Sequence, residues 1–122
     1  MGLEFRKRLL SSSEIREQYP LPASLAAIKA KRDEEIKAIF RGESRKFILV
    51  IGPCSADHPD PVLEYCGKLR EISKGVEDQL FIVPRIYTNK PRTTGEGYKG
   101  MLHQPDPEKG ENVAGGIAAI RK

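Results

Sequence analysis

The apolar positions of this chain change their spacing from segment to segment, and each change marks an element. Met1 to Tyr19 reads as a charged arm in which Ser13, followed by Glu14-Ile15-Arg16-Glu17, opens a short helix that Pro20 and Pro22 break. From about Ser24 to Phe40 the spacing is helical. Leu25, Ile28, Ile36, Ile39 and Phe40 fall on one loose stripe, and Gly42 follows as a stop. Arg32 interrupts the stripe, which predicts a narrow buried face or an acidic partner for that guanidinium. Phe47-Ile48-Leu49-Val50-Ile51 is continuous rather than alternating, the pattern of a strand buried on both faces of a parallel sheet. Gly52-Pro53-Cys54-Ser55 ends it. Asp60 is placed to cap a helix with Pro61 at its first position, and Val62, Leu63, Cys66, Leu69 and Ile72 share one face as far as Gly75. Leu80-Phe81-Ile82-Val83 is a second short buried strand. Strand, crossover helix and parallel strand make a unit that is expected to be right-handed.

After Tyr87 the texture changes. Residues 88–112 are rich in Gly, Pro, Lys and Asp and show no element, and connections of that length usually carry function. Asn112 can cap a last helix over Val113 to Arg121, with Val113, Ile117 and Ile120 inward and Gly115-Gly116 weakening it. Two parallel strands cannot cover both faces of a sheet. The pattern therefore predicts the front of a larger α/β domain, with residues 1–42 as an arm and helix and 43–122 as the first strands and helices of the sheet.

Composition narrows the class. Of 122 residues, 39% are hydrophobic and 31% charged, which suits a globular, water-soluble chain. No apolar run approaches the roughly 20 residues of a membrane helix, so no membrane association is expected. The N-terminus lacks the apolar core of a secretion signal, and Arg6 stands where myristoylation calls for Ser or Thr. A cytoplasmic location is expected, and with it free thiols at Cys54 and Cys66. The net charge of +4 does not call for nucleic acid, because the aromatic residues do not interleave with a basic stripe. Arg6-Lys7-Arg8 reads as a solvated face.

The chemistry concentrates where the second strand ends, in Pro84-Arg85-Ile86-Tyr87-Thr88-Asn89-Lys90-Pro91-Arg92-Thr93-Thr94. Arg85 sits at the strand terminus, and Lys90, Arg92 and Lys99 follow in the loop. Arginine grips carboxylate or phosphate with two parallel hydrogen bonds, lysine supplies a point charge, and Thr93 and Thr94 add hydroxyls. Pro91 fixes the backbone between Lys90 and Arg92. Together they predict a site for a multiply charged anion. Cys54 lies at the C-terminal end of the first strand, the edge at which α/β folds bind ligands. It reads equally as a metal ligand, a nucleophile or a small buried side chain. Cys66, on an apolar helix face, reads as core. His58 and His103 could each complete a metal site with Cys54 on paper, and each also fits an ordinary surface position. Gly95-Glu96-Gly97-Tyr98-Lys99-Gly100 lacks the spacing of a nucleotide-binding turn.

The stretches VIGPCSADHPDPVLEY and LFIVPRIYTNKPRTT, followed by GYKG, resemble in order and spacing the microbial type I 3-deoxy-7-phosphoheptulonate (DAHP) synthases. The resemblance implies the N-terminal part of a (β/α)8, or TIM, barrel with an N-terminal helical extension, ending before the barrel closes. It implies condensation of phosphoenolpyruvate with erythrose 4-phosphate to give DAHP and phosphate, the first step of the shikimate pathway. It implies one divalent ion, Mn, Fe, Co or Zn, in the complete enzyme, with none held tightly by these residues alone. By resemblance Cys54 is the metal-ligand cysteine. Arg85 and Lys90 hold phosphoenolpyruvate at the reacting centre, and Arg92 and Thr93 take the phosphate of erythrose 4-phosphate. Lys99 matches a family lysine whose role stays open. A homo-oligomer and an aromatic amino acid effector are implied for the complete enzyme. The sequence departs from the family in the turn after PRTT, where a Trp is common and this chain reads GEGYKG with Tyr98. A barrel of this kind needs about 250 residues, and the family's remaining ligands, a His, a Glu and an Asp, lie on later strands. The 122 residues alone are therefore expected to be inactive. The alternative reading is a non-catalytic truncated product with residual anion binding or subunit contacts only.

Overall fold

The computed structural model describes residues 2–122. In chain order these form α1 (Ser12–Gln18), α2 (Ala23–Phe40), β1 (Phe47–Ile51), α3 (Pro59–Ser73), β2 (Leu80–Pro84) and α4 (Val113–Arg121). The helices begin and end for local reasons. At α1, the Ser11 side chain accepts from the Glu14 backbone while Glu14 reaches back to the Ser11 backbone, a reciprocal capping box. At α4, Asn112 accepts from the Gly115 N–H as its position suggested. At α3 the expected cap is displaced. The helix begins at Pro59 after His58, two residues before the predicted start, and Asp60 lies in its first turn. Pro59 fixes the helical φ as well as Pro61 does, and the acid next to it favours the positive end of the helix.

The two strands pair in parallel, with Phe47 opposite Leu80 and Ile51 opposite Pro84. The predicted strand–helix–strand unit is thus present. Burial departs from expectation. β1 was read as buried on both faces, yet Phe47 is 69% and Val50 59% exposed. On α2, Leu25, Ile28 and Phe40 are exposed, while Ile36 and Ile39 are half-buried. Leu63 and Ile72 on α3, and Ile120 on α4, also face solvent. A two-stranded sheet has too little area to cover all the apolar stripes of four helices. The most enclosed large side chains are Phe81, Ile82 and Met101, and Ala56 is wholly buried.

Arg32 does not meet an acid. Its guanidinium donates to the Ile82 carbonyl at 2.6 Å and stacks on the Phe81 ring at 4.3 Å from the centroid. That carbonyl lies on the edge of β2 away from β1, because Gln79 and Arg85 bond to β1 and even-numbered positions between them face outward. The same edge has the Leu80 N–H bonded to Val76 O at 2.8 Å, and Pro84, which has no N–H. On the far edge of β1, Ile48 and Val50 carry no such cover among the described residues.

Candidate functional site

The strands deliver their C-terminal ends side by side. Arg85 N donates to Ile51 O at 2.8 Å, and any side chain at Gly52 would collide with the Arg85 carbonyl. Glycine at position 52 is thus what lets the loop after β1 lie against the end of β2. The consequence is geometric: Arg85 Nη2 donates to the Pro53 carbonyl at 2.6 Å, next to Cys54. Ala56 N closes the same loop onto Tyr87 O at 3.0 Å.

Residues 88–104 fold back over this junction. Lys90 N donates to Lys99 O at 2.8 Å and Leu102 N to Thr88 O at 2.8 Å. Gly100 makes the fold-back possible: it has φ of +98°, and a Cβ there would strike Thr88 O. The fold-back places Lys90 Nζ 3.4 Å from Cys54 Sγ, although 36 residues separate them. Cys54, Arg85 and Lys90 therefore share one place at the ends of β1 and β2. Arg92 is held nearby by its Nε, which donates to the Tyr98 carbonyl at 2.9 Å. Its side chain makes no other hydrogen bond among the described residues, so both terminal nitrogens remain available. Thr93 is exposed in the turn that follows, with no side-chain bond among the described residues.

Electrostatics separate these cations from the ion-paired ones elsewhere in the chain. Arg8, Lys37, Arg41, Lys68, Lys74 and Lys109 each lie within 3 Å of a carboxylate, and Lys29 pairs with Asp33. Among the described residues Arg85, Lys90 and Arg92 are within ion-pair distance of none. Arg85 and Arg92 are oriented by carbonyl oxygens, which fix a guanidinium without neutralising it. Lys99 behaves differently: its ammonium pairs with Glu111 at 2.8 Å, and that hydrogen bond and charge hold the Glu111 carboxyl below the usual carboxylate range. Neither histidine joins Cys54. His58 is exposed at the start of α3, and His103 is half-buried, with its carbonyl accepting from Asn112 N. Among the described residues no group of three or more His, Cys, Asp and Glu side chains could hold a metal ion. Cys54, exposed and unbridged, is thus a single donor, and it does not by itself fit a tightly bound ion.

The residue that sequence reasoning passed over is Tyr98. Its hydroxyl lies 3.1 Å from Ala56 O and 3.2 Å from Gln104 O. Burial, with the nearby charge of Asp57, pushes its phenol pKa up. The one available signal was an aromatic residue amid the glycines of GEGYKG.

Comparison with known proteins gives the family. The model of the DAHP synthetase I family matches residues 22–119. The chain belongs to the DAHP synthetase I family. A phospho-2-dehydro-3-deoxyheptonate aldolase of Amycolatopsis methanolica is 35% identical over 93% of the chain and 56% of its own length. The Tyr-sensitive aldolase of that name from Escherichia coli K12 is 32% identical over 93% of the chain and 32% of its own length. The structure of a phospho-2-dehydro-3-deoxyheptonate aldolase from Francisella tularensis SCHU S4 superposes with a TM-score of 0.86 at 30% identity, over 97% of this chain and 34% of that one. The chain therefore spans between about a third and just over half of the relatives it matches. Its α/β fold, with one parallel strand pair and flanking helices, is an unclosed part of a barrel of the TIM type. Among the described residues no helix is long and apolar enough to cross a membrane.

Proposed function

We propose that the chain supplies the first half of a substrate site for joining phosphoenolpyruvate to erythrose 4-phosphate. The observation that carries this reading is the group of three cations without carboxylate partners beyond the C-terminal ends of parallel strands, two of them oriented by neutral oxygens and Lys90 set against Cys54. Such a group attracts anions strongly because nothing in its neighbourhood competes for it. Both substrates are phosphorylated, and phosphoenolpyruvate adds a carboxylate. Arg85 and Lys90, beside Cys54, take phosphoenolpyruvate and hold its C3 carbon where an aldehyde can approach. Arg92, fixed at Nε with its terminal nitrogens free, takes the distal phosphate of erythrose 4-phosphate, and Thr93 adds a hydroxyl. Remote phosphate binding then orients the aldehyde carbon against C3, so that binding energy serves the reaction geometry. With ligands from beyond these residues, Cys54 would supply one thiolate to a divalent ion of the softer kind, which would polarise the aldehyde oxygen. Residues 1–42 act as an arm for subunit contact or for control by an aromatic amino acid.

The division of labour between Lys90 and Arg92 is the part to test. In calorimetric titrations of each substrate, Arg92→Ala is expected to weaken erythrose 4-phosphate while leaving phosphoenolpyruvate nearly unchanged. Losing a charge-assisted pair costs about 2–5 kcal/mol where it is desolvated, and Arg92, being exposed, belongs at the lower end. Arg92→Lys is expected to recover only part, since an ammonium cannot make the planar two-bond contact. Lys90→Ala is expected to show the reverse preference. Equal damage to both substrates in both variants would make the loop a general anion trap and end the residue-by-residue reading.

A further inference from the structure

The loops that carry the site come from different parts of the chain, and something has to set their relative position. The Cys54 loop hangs between β1 and α3, and the Lys90–Arg92 loop hangs between β2 and α4. Besides Arg85 and Lys90, one side chain of the second loop reaches the first: Tyr98. We propose that Tyr98 is a positioning residue, which registers the Arg92 guanidinium against the Cys54 loop through its hydroxyl on one side and its carbonyl on the other. The inference rests on the anion-binding reading above and deepens it.

Three contacts carry it. The phenol oxygen sits 3.1 Å from Ala56 O, two residues beyond Cys54, and 3.2 Å from Gln104 O on the returning loop. A phenol has one proton to give; donated to Ala56 O, alone or shared with Gln104 O, it ties the two loops together. The Tyr98 carbonyl accepts from Arg92 Nε at 2.9 Å. The next residue adds a fourth tie, its carbonyl accepting from Lys90 N at 2.8 Å. Ala56, at the receiving end of the hydroxyl, is wholly buried, which makes it a fixed point rather than a moving one. Burial, with the charge of Asp57, pushes the phenol pKa up, which favours the protonated form that donates. An aromatic ring without a donor at this spot would fill the same space and leave the turn at 95–98 free to carry Arg92 away from the site.

The probe is inorganic phosphate, titrated calorimetrically into the full chain and its variants. Circular dichroism and a thermal midpoint are measured alongside. Tyr98→Phe removes one oxygen and is expected to lose roughly three- to tenfold in phosphate affinity, the range that follows from one lost hydrogen bond. It should keep its circular-dichroism spectrum. A purely structural role would lower the thermal midpoint and leave the affinity of the folded protein unchanged. Arg92→Ala is the reference and should lose at least as much affinity. Tyr98→Met is the second variant, should the phenylalanine protein fail to fold. It keeps apolar bulk between the loops without a donor, and it is expected to show the same loss. Parental affinity in either folded Tyr98 variant, with Arg92→Ala still impaired, would overturn the role of Tyr98 and leave the functional reading standing. Parental affinity in Arg92→Ala as well would remove phosphate from Arg92 and overturn both.

Discussion

Lys99 shows how little separates a poised cation from a neutralised one. It stands nine residues after Lys90, its carbonyl accepts from Lys90 N, and yet its ammonium is occupied by Glu111. The Glu111 carboxyl, held below its ordinary value by that ammonium, binds its proton less readily in the folded chain than in the unfolded one. Its contribution to stability is therefore present above the unfolded carboxylate value and lost as pH falls through the lower, folded one. Carboxyl-carbon NMR should show Glu111 titrating below free glutamate, and Lys99→Ala should return it to the ordinary range. A Glu111 midpoint that ignores the loss of Lys99 would dissolve the pair. The sequence put Arg85 at the strand end and the other candidate cations in the loop beyond it, but could not separate Lys99 from Lys90. That difference depends on where Glu111 lands, twelve residues away across an irregular loop. The approach of Lys90 to Cys54 was equally invisible, since it depends on strand register and on the fold-back at Gly100.

Among the elements, β2 depends on a helix that precedes it by forty residues. Arg32 of α2 gives its guanidinium to the Ile82 carbonyl, and its plane rests on Phe81, two contacts with the most enclosed part of the chain. Arg32→Ala should strip that carbonyl of its partner, at a cost of about 1 kcal/mol for a part-buried acceptor that water can reach. Arg32→Lys should recover less than half, because an ammonium reaches the oxygen but does not stack as a guanidinium does. Thermal melts read both, and an Arg32→Ala protein as stable as the parent would show the contact to be idle. The helical and strand periods of the sequence located every element of this scaffold to within two residues, because each has its own local stop and start. Burial was less legible. Leu25 and Ile28 lie on a proper helical stripe yet face solvent, since a stripe states what a helix is able to cover and not whether a partner stands opposite. Arg32, which looked like a flaw in the stripe, is the residue of α2 with the most specific contact to the sheet.

For the molecule as a whole the sheet has two unlike sides. The outer side of β2 is closed by Pro84, by Arg32 and by the turn bond at Leu80, whereas the outer side of β1 presents bare backbone beside exposed Phe47 and Val50. A strand edge of this kind pairs with another copy of itself. At high concentration the isolated chain should therefore sediment as a dimer. Val50→Pro, which removes an outward N–H and leaves the ladder to β2 untouched, should return it to a monomer. A parent that sediments as a monomer throughout, or a proline variant that still dimerises, would dismiss the edge as the cause. In the vocabulary of polymer chemistry, the chain is a monofunctional unit. A monomer with two reactive ends grows into a fibre; one with a single reactive end couples once and stops. The proline and the arginine on the far strand act as the chain terminator, and the largest product of edge pairing is two copies joined back to back.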